Sequence, residues 1–179
     1  MTSSEFKPLS RSFYNSNTVS VAKRLLGKLI IRKLNGRIIA GKIVETEAYT
    51  SGEHDPASHA YRGMTKRNEV MFGKNGISYV YFTYGMYFMF NIVAKNKTED
   101  AGAVLIRALE PIKGIKTMKL NRQIQRQFFS RTNGNIHNRI IAIRPLVVWI
   151  ALARCQSIHN AINSVQSFNN FSKDGVLII

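Results

Sequence analysis

Glu45, Glu47 and Tyr49 are the residues whose types and spacing best suit chemistry, within Val44-Glu45-Thr46-Glu47-Ala48-Tyr49. Strand side chains alternate with a period of two, so a strand here sets two carboxylates and a phenol in one row, with Val44, Thr46 and Ala48 behind them. A carboxylate can take a proton from water or stabilise a developing positive charge, and a phenol can donate or stack. Taken alone, the row is equally a solvated face of an antiparallel sheet. A charge taken out of water has to be paired or useful, and Arg107, inside the apolar run Ala103 to Leu109, raises the same question. Glu45 and Glu47 are the carboxylates that the pattern offers it.

Other candidates lie between these two runs. Thr50 to Gly63 is a long polar loop without periodicity, carrying His59 and Arg62, and loops of that length in a compact domain are commonly functional or disordered. Ile77 to Thr83 reads as a strand with Tyr79 and Tyr81 on one face. Tyr84-Gly85-Met86-Tyr87 breaks it with a glycine that displays large neighbours. Asn91 sits among Phe88, Met89, Phe90, Ile92 and Val93, where a side-chain amide must find partners or bind something. The plainer readings make the tyrosines core aromatics, His59 a satisfied loop histidine and Asn91 a buried structural amide.

The elements that must hold these residues follow from local signals. Residues 1 to 15 read as an extended lead-in. Asn17-Thr18 offers a helix N-cap before Val19, Ala22, Leu25 and Leu26, read as the inward stripe, and Gly27 is placed to end that helix. Lys28 to Lys33 and Arg37 to Tyr49 are strands joined around Asn35-Gly36, a strong hairpin signal. Met64 to Phe72 suits a short helix or turn, and Gly73 to Gly76 a tight turn. Phe88 to Ala94 resumes as a strand, Glu110-Pro111 ends the sheet, and Lys113 to Gln127 reads as a basic helix with Ile115, Met118 and Ile124 inward. The expected fold is α+β: a single domain over 1–179, mainly an antiparallel sheet with a hairpin insertion and surrounding short helices.

Composition bounds the function. A chain of 179 residues with 45% apolar content can bury a real core as one domain. Its 26 Lys and Arg against 10 Asp and Glu give a formal charge of +16, which suits a polyanion, either nucleic acid or an anionic membrane surface. Cys155 is the only cysteine, which removes an intramolecular disulfide and points to a reducing compartment. His54, His59, His137 and His159 show no ligand spacing, so neither a metal nor a cofactor is expected. The apolar run Ile140 to Cys155 is cut by Arg144, Pro145 and Arg154, too short and too charged to span a bilayer. No signal-peptide core is apparent. A soluble, intracellular, monomeric protein is expected, cytoplasmic with the bacterial nucleoid or nuclear in a eukaryote.

Four separated features, in this order, resemble the alkyladenine (3-methyladenine) DNA glycosylase family of base-excision repair. They are Val44 to Tyr49; the His59 loop with Thr65-Lys66-Arg67-Asn68; Tyr84-Gly85-Met86-Tyr87 followed by Asn91; and Leu105-Ile106-Arg107-Ala108-Leu109-Glu110-Pro111. The resemblance runs from about Phe13 to Met118. It implies a monofunctional glycosylase that flips damaged purines out of double-stranded DNA and cleaves them by water attack at C1′. Glu47 matches the family's general base, and Arg107 the arginine that helps hold the water. Breaking an N-glycosidic bond builds oxocarbenium character on the sugar, which explains a carboxylate there.

By the same resemblance Tyr49, His59 and Tyr81 match the aromatic walls around the extruded base, whose electron-poor ring favours π faces. Tyr84 matches the wedge that fills the vacated stack, with Met86 and Tyr87 beside it. Asn91 matches the residue that crowds the 2-amino group of guanine. Arg62, Lys66 and Arg67 are candidate phosphate contacts, or a solvated basic loop. Residues 113–179 depart from the family pattern, as a divergent or truncated C-terminal third would, and Phe168 to Ile179 is only faintly similar to a late family strand. A degenerate member that binds DNA without turnover is therefore the alternative, and a basic β module binding RNA a weaker third.

Overall fold

The computed structural model describes residues 7–34, 36–53, 55–83, 87–122 and 175–179. Among these residues, six strands form one antiparallel sheet: β1 (Leu29–Leu34), β2 (Arg37–Thr50), β3 (Ser78–Thr83), β4 (Tyr87–Val93), β5 (Gly102–Lys113) and β6 (Gly175–Ile178), in the order β3-β4-β5-β2-β1-β6. With α1 (Thr18–Leu25), α2 (Glu69–Phe72) and α3 (Ile115–Arg122) around it, this is the expected α+β architecture.

The two faces of the sheet bury different sets of residues. On one, Ile39, Ile43, Phe90, Ile92, Val104, Ile106 and Leu109 pack with Val21, Ala22 and Leu25 of α1. On the other, Tyr79, Val93 and Ala103 pack with Ala60 and Met71 of the segment that joins β2 to β3, with Tyr49 and Tyr81 alongside.

Helix α1 is set by Asn17, whose side chain accepts from the Val19 and Ser20 amides, and it ends before Gly27, whose φ of 81° an L side chain rarely adopts. The inward stripe is Thr18, Val21, Ala22 and Leu25; Val19 and Leu26, expected inside, are 44% and 46% exposed. Thr18 fixes the rotation. Its hydroxyl donates to the Ala94 carbonyl at 2.9 Å, and its backbone N–H and the Asn17 side-chain Nδ2 both donate to the Glu99 carboxylate. Gly102 makes room for this contact, since a Cβ there would lie 2.3 Å from Thr18 Oγ1 and 2.4 Å from the Ala94 oxygen.

Three further expectations are corrected. The lead-in contains a 3-10 turn, Arg11–Tyr14, that buries Tyr14. Strand β5 does not stop at Glu110-Pro111 but runs to Lys113; Pro111 pairs with Gly41 beside a register shift, where a missing N–H does little harm. The helix after it begins at Ile115 rather than Lys113, with Met118 buried as expected but Ile115 43% exposed. Asn35, Ile124 and the departure from the family pattern within 123–174 lie outside the described residues. No helix among the described residues is long and apolar enough to cross a membrane.

Candidate active site

An irregularity in the β2–β5 pair gives the site its geometry. The register shifts between Ile43 and Glu45 and again between Glu45 and Thr46. Ile43 faces the α1 core, and Thr46, whose hydroxyl donates to the Ala22 carbonyl at 3.0 Å, faces α1 as well. In β5 the same core takes Ile106 and Leu109. Both strands therefore step by three rather than two between inward residues, and one extra residue flips every later side chain to the opposite face. Were the alternation strict, Glu45, Glu47 and Tyr49 would share the core face of Ile43. The step puts them on the far face with Arg107, and leaves Val44, at the irregularity, 42% exposed.

There the charges meet. Arg107 Nε lies 3.0 Å from Glu45 Oε1, and Arg107 Nη1 donates to Glu47 Oε1. Tyr49 donates its hydroxyl to Glu47 Oε2 at 2.6 Å. The question of how Arg107 is paired is answered by the row with which the sequence reading began. Glu47 and Arg107 side chains are 32% and 29% exposed, so water reaches them without swamping their attraction.

Beside them opens a pocket of about 300 Å³, including its mouth, lined by Tyr49, His59, Met71, Tyr79, Tyr81 and Asn91 together with two alanines. The His59 and Tyr81 rings touch, with centroids 4.4 Å apart, so they act as one wall rather than two leaves of a slot. His59 Nδ1 shares a 2.8 Å hydrogen bond with the Tyr79 hydroxyl. Burial, then the charge of Arg67, hold the His59 imidazole below its ordinary pKa. Burial pushes the Tyr79 phenol up to about 12. Burial, then the bond to Glu47, push the Tyr49 phenol above its ordinary value. Asn91 is buried in the pocket lining; its Nδ2 donates to the Tyr79 and Met89 carbonyls at 3.1 and 3.4 Å.

The loop that carries His59 is held by a residue to which the sequence reading gave no role. Asn68, 2% exposed, donates through Nδ2 to the carbonyls of His59 (2.7 Å) and Gly63 (2.9 Å). Its Oδ1 accepts from the Thr65 amide (2.6 Å) and hydroxyl (3.1 Å). It is also the N-cap residue of α2, yet its side chain makes no capping bond because it is spent on the loop. An asparagine just before an apolar run is a turn signal, but not a signal for which loop it will tie.

Of the remaining candidates, Arg62, Lys66 and Arg67 are exposed, and Arg67 stands 5.9 Å over the Tyr81 ring with Nη2 donating to the Phe82 carbonyl. Tyr87 pairs with Thr83 at the end of the β3–β4 hairpin. Tyr84 and Met86 lie outside the described residues. Among the described residues no group of three or more His, Cys, Asp or Glu gathers as a metal ion would need.

The fold and the site of the described residues define a class: one antiparallel sheet with a pocket walled by aromatic rings that opens beside a carboxylate held by a guanidinium. Residues 12–138 match the family model of methylpurine-DNA glycosylase (MPG), and the chain belongs to that family. It is 58% identical over 111 residues to a protein of Carboxydothermus hydrogenoformans, covering 62% of this chain and 56% of that one. Proteins of Francisella tularensis subsp. tularensis (strain WY96-3418; 55% over 108 residues, 59% and 53% covered) and Chlorobaculum tepidum (51% over 117 residues, 65% and 55% covered) are also similar. Each is named "Putative 3-methyladenine DNA glycosylase". The chain spans about half the length of the curated relatives it matches.

Proposed function

We propose that the protein is a monofunctional DNA glycosylase that excises alkylated or deaminated purines from double-stranded DNA, the class of 3-methyladenine, 7-methylguanine, hypoxanthine and ethenoadenine. The observation that carries this reading is Glu47, anchored on Arg107 at the edge of a pocket walled by Tyr49, His59 and Tyr81. A purine seated in the pocket would bring its sugar near Glu47. Water gives a proton to the Glu47 carboxylate as its oxygen bonds to C1′, and the C1′–N bond breaks with its electron pair passing to the purine. Arg107 keeps the carboxylate in place and helps hold the water.

Tyr49 on one side and His59 with Tyr81 on the other stack on the base. A neutral His59 suits this task, because an imidazolium would repel a cationic methylpurine. Asn91 crowds the 2-amino group of an ordinary guanine. Tyr84, Met86 and Tyr87 fill the gap left in the duplex, while Arg62, Lys66 and Arg67 take phosphates, in keeping with the charge of +16. The reaction needs no metal or cofactor, and the protein works as a monomer.

The test is incubation with duplexes carrying one hypoxanthine, ethenoadenine or 7-methylguanine, followed by alkaline cleavage of abasic sites. Strand breakage at the lesion, absent from the undamaged duplex, is the expected result. Lesion-selective binding without breakage would favour the non-catalytic alternative, and indifference to the lesion would remove the reading altogether.

A further inference from the structure

We propose that the Tyr49 hydroxyl is a positioning group for Glu47, so that the ring forming one wall of the pocket also fixes the carboxylate beside it. The proposal rests on the function given above. Its basis is that both carboxylate oxygens carry a donor from a different element: Arg107 Nη1 of β5 on Oε1, and the Tyr49 hydroxyl of β2 on Oε2 at 2.6 Å. Arg107 is itself held from swinging by Glu45, 3.0 Å from its Nε. One donor on each oxygen stops the carboxylate turning about its last bond and leaves a lone pair on each for water.

Tyr49 is placed two residues after Glu47 on the same strand face, so the contact is set by the pleat rather than by a mobile loop. Burial and the bond to Glu47 both keep the phenol protonated, hence a donor, well beyond neutral pH. The same ring lines the pocket. A base stacked on that ring holds it still and with it Glu47 Oε2; a base that fails to seat leaves Oε2 less well held. Recognition and turnover then share one side chain, and a ring alone, without its hydroxyl, supplies only the first.

The experiment separates the two contributions with Tyr49→Phe and Tyr49→Leu, each made in the native chain, and with Tyr49→Phe added to Glu47→Gln. Equilibrium binding to a duplex carrying ethenoadenine and single-turnover excision at saturating protein are measured for each. Tyr49→Phe is expected to bind within about twofold of the native chain, because the stacking face is kept. Its excision rate constant falls roughly 3- to 10-fold, the effect of about one hydrogen bond. Tyr49→Leu loses about tenfold or more in binding as well, the usual scale for a lost base–aromatic stack.

In the Glu47→Gln background, Tyr49→Phe produces no further fall, because the group it positions is gone. A merely structural tyrosine would slow both backgrounds by the same factor, and that result would overturn the proposal. So would a Tyr49→Phe chain as fast as the native one, or one whose whole loss lies in binding. A native chain that releases no base from any lesion duplex sinks the proposed function and this inference together, whereas a working native chain with an idle hydroxyl sinks only the inference.

Discussion

The two faces of the sheet spend their polar side chains differently. On the α1 face they bond chiefly to backbone, Thr18 to the Ala94 carbonyl and Thr46 to the Ala22 carbonyl, with Glu99 as a second partner of Thr18. On the pocket face Asn68 and Asn91 also hold backbone carbonyls, but the ionisable row and its neighbours bond to one another: Tyr49 to Glu47, Glu47 to Arg107, Arg107 to Glu45, and His59 to Tyr79. A side chain tied to backbone locks an element and is then finished. A chain of linked side chains keeps its charges close, half-wet and able to exchange a partner for a ligand, which is the arrangement the proposed reaction calls for. Substitutions on the first face should therefore act through folding, and those on the second through turnover.

The sharpest test of that division is Arg107→Leu, which leaves Glu45 and Glu47 without the cation between them. Excision should fall by about 10²- to 10³-fold, the scale for one preorganised polar group at a reacting centre. Arg107→Lys should recover only part of it, since an ammonium cannot reach both carboxylates as the guanidinium fork does. Single-turnover kinetics on a hypoxanthine duplex read both. One residue away on the opposite face, Ile106→Ala opens the α1 core and should cost about 2–5 kcal/mol in urea unfolding. Its excision rate at a temperature where it is folded should stay within severalfold of the native value. If Ile106→Ala lost its rate without losing stability, the division between the faces would be wrong.

Asn68→Ala should give a smaller and mixed effect. It strands the His59 and Gly63 carbonyls and the Thr65 amide, for about 1–3 kcal/mol, and hydrogen exchange should speed up in residues 59–65 before the sheet. The smallest effect expected is on pH. Folding keeps His59 neutral below its ordinary pKa of 6.5, so the unfolded chain binds this proton more readily. The part of the stability due to His59 is thus fully present above about pH 6.5 and is lost as pH falls through the lowered value in the folded chain. Melting temperatures between pH 7 and 5 should drop less in His59→Gln than in the native chain.

Much of this was legible in the sequence because the site is carried by strands. A period of two was enough to align Glu45, Glu47 and Tyr49, and to put Tyr79 beside Tyr81, which the rings confirm with centroids 5.3 Å apart. The pairing of Arg107 was legible from the cost of an isolated charge in an apolar run. What escaped is what depends on partners far along the chain. Nothing local marks the step at Val44 that carries the row away from the core, because it is shared with β5 some sixty positions on. The rotation of α1 was misjudged because Val19 and Leu26 looked more apolar than Thr18, whose place is decided by Ala94 and Glu99. Pro111 read as a strand end because a proline usually is one, and only a glycine partner beside a register shift allows β5 past it. Asn68 was visible as a turn former, but the loop that it closes was not.

The most direct test of the account is the excision rate of Glu47→Gln beside its lesion binding and its melting temperature. The substitution keeps the shape and removes the carboxylate that the proposed step needs. A fall of about 10²- to 10⁴-fold in single-turnover excision is expected, with binding to the lesion duplex and thermal stability close to native. Excision by Glu47→Gln at the native rate would contradict the role given to the row of residues on β2.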